Sequence, residues 1–144
     1  MDVFVANEQE HAVDEARLSA LARHVLASEE VDDDVELSVL LITPAHIRKL
    51  NARFAGDDYA TDVLSFPMLE DHDSSLMLGD VVICPEIART NAGKMGHDLA
   101  VEIDTLLVHG TLHLLGYDHD EEEGKARMER RQHELLASFG VAAS

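Results

Sequence analysis

The chain has 144 residues, of which 46% are hydrophobic, so it is long enough to bury one core without disulfides, and we expect a single domain over 1–144. Eleven Lys and Arg against 29 Asp and Glu give a net charge of −18, which argues against nucleic-acid binding through a broad basic surface. One cysteine, no secretory signal and no apolar run long enough for a membrane span predict a cytoplasmic protein.

The first half of the chain predicts alternating strands and helices. A strand covers 3–6, and apolar residues recur at helical spacing over 13–25. A second strand, 35–42, alternates in polarity. Thr43-Pro44 predicts a helix start, because threonine can cap a helix and proline suits its first position, and Gly56 ends that helix.

The second half predicts two strands and three helices. Strands at 63–66 and 78–84 are joined by the polar loop 70–75, which suggests a hairpin or an exposed flap. The predicted helices run from Pro85 to near Gly96, from about Asp98 to Leu115, and from the acidic run 120–123 to Gly140. The middle helix is apolar around most of its circumference, as expected for a buried helix. The fold class predicted is α+β, with a small mixed sheet of about four strands packed with about five helices.

The segment from His109 to His119 carries the most chemical information. His109 and His113 are four residues apart, so on a helix both imidazoles share one face. Gly116 permits the positive φ that ends a helix, and His119 follows the turn. Three imidazoles arriving in this way suit zinc and leave a fourth position open. The segment therefore predicts a metal-dependent hydrolase with one Zn²⁺ per chain.

The same helix carries a polar stripe and one informative glycine. Glu102 and Thr105 continue the line of the two histidines, and a buried helix keeps such a stripe only when it has partners. The histidine spacing is that of metzincin peptidases, but Gly110 stands where those enzymes have their glutamate base. A metzincin-like metallopeptidase is therefore an alternative that lacks its usual general base.

From His109 to His119 the chain resembles the YbeY endoribonuclease family, the rRNA maturation factors. It matches the signature H-G-x-L-H-L-x-G-Y-D-H without a gap. Two further blocks look like the same family: Leu50-Asn51 through Thr61-Asp-Val-Leu-Ser-Phe-Pro67, and Leu78-Gly-Asp-Val-Val-Ile-Cys-Pro85. The likeness spans residues 35 to 140, approximately.

The resemblance implies an activity, a metal and partners. It implies a zinc-dependent endoribonuclease that cuts single-stranded RNA, processes the 3′ end of small-subunit (16S) ribosomal RNA and acts in ribosome quality control. The zinc ligands would be His109, His113 and His119. Ser65 and Phe66, in the segment 61–67, would bind substrate. The implied partners are ribosomal RNA and the small ribosomal subunit with its proteins.

The chain departs from the family beside Phe54. The family usually has an arginine after this aromatic residue, considered important for activity, and here the position is Ala55. Arg53 would point to the opposite side if the helix persists that far. Either the end of the helix lets Arg53 replace the missing arginine in binding and catalysis, or phosphate binding is weakened. With the net charge of −18, this leaves open a metal-stabilised ribosome-associated factor with weak catalysis.

Acidic and basic side chains near the histidines have two possible uses each. Glu102, Asp80 or Asp118 could assist proton transfer at a metal-activated water, and the sequence does not choose among them. The last helix carries a basic patch, which either pairs with nearby glutamates or contacts a phosphate chain; it consists of Lys125, Arg127, Arg130 and Arg131.

Overall fold

A mixed β-sheet lies at the centre of the fold, in a computed structural model that describes residues 1–67, 77–118 and 120–140. Within these ranges its four strands are β1 (Asp2–Asn7), β2 (Glu36–Leu41), β3 (Val63–Pro67) and β4 (Met77–Ile83), in the order β1-β2-β4-β3. β2 is parallel to β1 and β4, whereas β3 is antiparallel to β4. The antiparallel pair confirms the predicted hairpin, and the loop 70–75 lies outside the described residues.

Five helices accompany the sheet in the same part of the chain, and they confirm the predicted α+β class. They are α1 (Glu15–Ser28), α2 (Pro44–Ala55), α3 (Pro85–Met95), α4 (Leu99–Leu114) and α5 (Glu122–Phe139). The predicted start of α2 is confirmed, since the Thr43 hydroxyl accepts a hydrogen bond from the His46 N–H at 3.3 Å. α1 begins later than position 13 because Asp14 caps it, accepting from the Arg17 N–H at 3.0 Å. No helix among the described residues is long and apolar enough to span a membrane.

The helices divide between the two faces of the sheet. Val81 and Ile83 of β4 point into the larger core, which they share with buried residues of α1, α4 and α5. Val82, between them, points to the other face and packs with Ile47 of α2. This alternation follows from the two-residue repeat of a strand, and it leaves α2 to cover its face of the sheet near β3 and β4.

Helix α4 is buried, as predicted, and it lies unusually close to the sheet. Eight of its 16 residues are buried. At Gly110 an added Cβ would lie 2.7 Å from Val81 Cγ1 and 3.0 Å from Ser65 Oγ. The Ser65 hydroxyl donates to the Gly110 carbonyl at 3.1 Å. The absence of a side chain at Gly110 therefore allows α4 to pack directly onto β3 and β4.

Candidate metal centre and adjoining groove

The two helical histidines lie where their spacing predicts. α4 extends to Leu114, so His109 and His113 are one turn apart on the same side of the helix. His109 is partly buried, and His113 is exposed. The Nδ1 of His109 is 3.2 Å from Oε1 of Gln132 on α5. Because an amide oxygen only accepts hydrogen bonds, Nδ1 carries the proton and a metal would bind this ring through Nε2.

Gln132 is a site residue that the sequence interpretation missed. It lies four residues after Met128 and three before Leu135, the two residues of α5 that are buried. A glutamine on the buried side of an amphipathic helix is the signal that could have identified it, because such an amide requires a partner. That partner is the ring of His109.

The turn that follows α4 is anchored to two other helices. Gly116 has φ of +100°, as its predicted role in ending the helix requires. The Tyr117 hydroxyl donates to both carboxylate oxygens of Glu29, at 3.1 and 3.2 Å. Glu29 also accepts from Arg131 of α5 at 2.6 Å. The chain is therefore held in place immediately before Asp118.

The third predicted ligand, His119, lies outside the described residues. Over 1–67, 77–118 and 120–140, no three His, Cys, Asp or Glu side chains are grouped to hold a metal ion. The described part fits zinc in two respects: His109 and His113 share a helix face, and His109 has the carbonyl partner typical of a ligating imidazole. Zinc coordination by these two residues and His119 stays a prediction.

The remainder of the polar stripe on α4 is engaged locally. Glu102 Oε1 lies 2.5 Å from Nε2 of His97, and both side chains are almost buried. The Thr105 hydroxyl donates to the Val101 carbonyl at 2.8 Å. Glu102 is seven residues before His109, about 10 Å along the helix axis. The structure thus places this candidate acid–base residue two turns from the histidine pair, with His97 as a partner that the sequence interpretation missed.

A groove of about 720 Å³ brings together three of the predicted site residues. It lies between α2 and the β3–β4 hairpin, and Ser65, Phe66 and Asp80 all line it. Asp80 is paired with Phe66 across the two strands, so both side chains are on the same face of the sheet. Ser65 also hydrogen-bonds the carbonyl of Gly110, the residue after His109. Because Ser65 is paired with Val81, its hydroxyl points to the face of the sheet that α4 covers, so the groove and α4 lie on opposite faces and meet at β3.

Arg53 lies outside the lining of this groove. Because α2 persists to Ala55, Arg53 is on another side of the helix, where it lines a depression with Arg48 and Asp58. Its guanidinium carbon is 5.1 Å from the centre of the Phe54 ring. Ala55 itself lines the groove. The helix thus does not end early enough for Arg53 to occupy the position of the family's arginine.

The basic patch of α5 serves two purposes. Arg131 pairs with Glu29 at 2.6 Å and approaches Glu134 at 3.6 Å, as expected for a structural pairing. Arg127 and Arg130 instead line a surface depression together with Asp118. Arg131 therefore stabilises the packing of α5, whereas Arg127 and Arg130 lie on a surface beside the end of the histidine segment.

The position of Gly110 also bears on peptidase chemistry. Metzincin peptidases have a glutamate there, but in this chain the position faces Val81, at a distance that leaves no room for a side chain. A general base cannot act from this side of α4. The geometry therefore gives no support to the metzincin-like alternative.

Comparison with known proteins identifies the family. Residues 4–140 match the family described as "Endoribonuclease YbeY". Relatives named endoribonuclease YbeY include one from Frankia casuarinae, 45% identical over 99% of this chain and 76% of its own, and one from Salinispora tropica, 44% identical over 96% of both. A solution structure from Thermotoga maritima is 26% identical, with a TM-score of 0.63 over 95% of this chain and 91% of that one. The chain therefore belongs to the endoribonuclease YbeY family.

Proposed function

We propose that this protein is a zinc-dependent endoribonuclease that cuts single-stranded RNA. The observation that carries the metal dependence is the placement of His109 and His113 on one side of α4, with Gln132 orienting the ring of His109. His119 completes a set of three neutral imidazoles, which suits zinc and leaves one position open. When bound, the ion supplies a Lewis acid for phosphodiester hydrolysis.

The groove is where the chain holds its substrate in this proposal. Ser65 and Phe66 line it, and Ser65 connects its edge to α4 through Gly110. Most of the lining is apolar, which suits the exposed bases of a single strand, whereas a duplex keeps its bases stacked inside. Arg53 contacts phosphates only from outside the groove. The specificity for single strands follows from this lining.

Proton transfer at the metal is assigned to a carboxylate other than that of Glu102. Glu102 is held by His97, two turns from His109. Asp80 lines the groove, and Asp118 follows the anchored turn. We therefore assign this role to Asp118, leave Asp80 to contact substrate in the groove, and give Glu102 a structural role.

The family supports a biological role in ribosome assembly. We place the enzyme in the cytoplasm, acting on the 3′ end of 16S ribosomal RNA and in ribosome quality control. Its partners are then ribosomal RNA and the small subunit with its proteins. Depletion of the protein in cells is expected to leave 3′-extended precursors of 16S rRNA, and fully matured 3′ ends would contradict this role.

A cleavage assay tests the proposed activity directly. Zinc-loaded protein is incubated with an end-labelled single-stranded RNA, and with the same RNA annealed to its complement. We expect internal cuts in the single strand only, and their loss in His113→Ala. Equal cutting of both substrates, or full activity in His113→Ala, would contradict the proposal.

A metal-stabilised ribosome-associated factor with weak catalysis is the second candidate. Two observations favour it: Ala55 leaves the groove without the family's arginine, and the net charge is −18. The two candidates differ in the turnover of the zinc-loaded wild type. Negligible turnover together with binding to purified small subunits would favour the second candidate, and an Ala55→Arg variant that gains cleavage would identify the missing arginine as the cause.

A further inference from the structure

We propose that the groove between α2 and the β3–β4 hairpin binds one unstacked nucleobase, with Phe54 as the stacking surface and Asp80 selecting guanine. This inference rests on the proposed function, because it supposes that the protein binds single-stranded RNA. It adds a base-specific subsite to a reaction that otherwise depends on the phosphodiester alone.

The stacking surface is an aromatic ring that is largely exposed, with the guanidinium of Arg53 5.1 Å from its centre, where a base can take the place of this mobile side chain. Phe54, in the last turn of α2, is 59% exposed. It packs against Phe66 in an edge-on arrangement, with ring centres 5.4 Å apart and planes at 69°. Phe66 thereby fixes the orientation of the exposed ring. Phe54 also lines the groove, and every nucleobase has a flat face that can stack on an aromatic ring.

The floor of the groove is apolar because of the strand register. Leu64 of β3 and Leu40 of β2 are both paired with Val82 of β4, so the three side chains lie side by side on one face. On that face, Phe66 and Asp80 form the next pair toward the end of the hairpin. The groove thus offers an apolar floor, an aromatic wall and a carboxylate at one end. A flat heterocycle with a polar edge matches that arrangement.

Asp80 gives the groove a preference among bases. Asp80 is the cross-strand partner of Phe66, with Cβ atoms about 5 Å apart, and Phe66 packs against Phe54, so the carboxylate lies beside the ring on which the base stacks. A carboxylate only accepts hydrogen bonds. Guanine presents two adjacent donors, N1–H and the 2-amino group, on its Watson–Crick edge, whereas adenine, cytosine and uracil each place acceptors beside their donor. Two parallel bonds therefore favour guanine.

The chain provides a matched control for the aromatic ring. Phe4 is 54% exposed, close to the value for Phe54, but it lies on β1 at the opposite edge of the sheet. Replacing Phe4 by alanine removes the same exposed surface far from the groove. If a loss of exposed aromatic surface weakened RNA binding nonspecifically, Phe4→Ala and Phe54→Ala would weaken it equally.

The test measures binding of zinc-loaded protein to a short, phosphorothioate-substituted RNA that contains one guanine. An abasic nucleotide in place of the guanine is expected to weaken binding to the wild type by roughly 5- to 150-fold, as is Phe54→Ala with the intact RNA. Combining the two changes should give little further loss of affinity, since both remove the same stacking contact. Phe54→Tyr and Phe4→Ala should bind as the wild type does, and Asp80→Asn should lose the preference for guanine over adenine.

Cleavage by the wild type, measured in parallel, separates the two proposals. If the wild type cuts RNA but Phe54→Ala binds it as tightly, the subsite is wrong and the proposed function stands. If Phe4→Ala weakens binding as much as Phe54→Ala, the subsite is also wrong. If the wild type neither binds nor cuts single-stranded RNA, the proposed function itself fails.

Discussion

The hydrogen bond between Gln132 and His109 determines the orientation of the His109 ring, the first of the predicted zinc ligands. An imidazole whose Nδ1–H is held by an oxygen cannot rotate freely, and its Nε2 is directed away from the partner. Because the bond joins α4 to α5, the orientation of the ligand depends on the packing of these two helices. The metal affinity should therefore respond to a residue that does not itself bind the metal.

Replacing Gln132 by alanine should lower zinc affinity by about 10- to 100-fold, because the His109 ring loses the group that orients it. Gln132→Glu should retain the affinity, since a carboxylate accepts the same proton. Competition with a chromogenic chelator gives the dissociation constants. The control is His133→Ala, an exposed neighbour on α5. Wild-type affinity in Gln132→Ala would show that Gln132 does not position the ligand.

At the scale of elements, the placement of α4 depends on its contact with the sheet and on one ion pair. Gly110 allows the close contact with Val81. On the other side, the Arg17 guanidinium of α1 donates two bonds to Oδ2 of Asp104, at 3.0 and 3.3 Å. Arg17 also lies over the Phe139 ring of α5, 5.4 Å from its centre. Three helices are thus joined at one cation.

Gly110→Ala should lower the free energy of unfolding by about 1–3 kcal/mol, because the new Cβ would lie 2.7 Å from Val81 Cγ1. The loss should occur although alanine is the better helix former. Gly93→Ala is the matched control: Gly93 lies in α3, and an added Cβ there has no heavy atom within 4 Å. It should raise stability by up to about 1 kcal/mol. Urea denaturation measures both, and equal effects would contradict the close packing.

The pH dependence of stability should carry a contribution from Asp104. Burial raises the pKa of its carboxyl, and the bond to Arg17 opposes this only in part. The folded chain therefore holds this proton more tightly than the unfolded chain does. The resulting stabilisation is complete below the ordinary pKa of 3.8 and is lost as the pH rises through the higher pKa of the folded state.

The difference in unfolding free energy, Asp104→Asn minus wild type, should accordingly increase with pH above 3.8, the ordinary pKa of this carboxyl. Asp58→Asn is a control of opposite sign, because the hydrogen bond from Arg48 lowers the pKa of Asp58. Its effect should be small, since this pair is exposed. Denaturant titrations at a series of pH values measure both differences. A flat profile for Asp104→Asn would contradict the effect of burial.

The sequence predicts the local features of this fold better than its long-range pairings. The start of α2 at Thr43-Pro44 and the burial of α4 follow from short-range rules that act within a turn or two. The sheet order, with β3 at an edge beyond β4, depends on packing between distant segments. The same division holds at the site: the spacing of His109 and His113 is local, whereas the contact of His109 with Gln132 joins residues 23 apart.

At the scale of the whole molecule, the net charge of −18 opposes the binding of a polyanion. The described groove contains one carboxylate, Asp80, and Ala55 where the family has its arginine. Within the groove, we therefore expect contacts to bases to contribute more of the RNA affinity than contacts to phosphates do. Such binding depends less on salt than that of a basic nuclease.

Ala55→Arg should strengthen binding to single-stranded RNA and make its salt dependence steeper. One added phosphate contact changes the slope of log affinity against log salt by about −0.7 for a single strand. Ala52→Arg adds the same charge on α2 in the depression outside the groove, and it should change the slope less. Anisotropy titrations over a range of salt concentrations give the slopes. Equal slopes in the two variants would show that the groove does not hold the RNA backbone.

The zinc content of purified wild type and His113→Ala tests the central claim most directly. His113 is exposed, so its replacement should leave the fold intact, as circular dichroism can verify. The account predicts one zinc per wild-type chain, loss of zinc in His113→Ala, and full retention in His133→Ala, which changes an exposed histidine on α5. A folded His113→Ala protein that keeps one zinc per chain would contradict it.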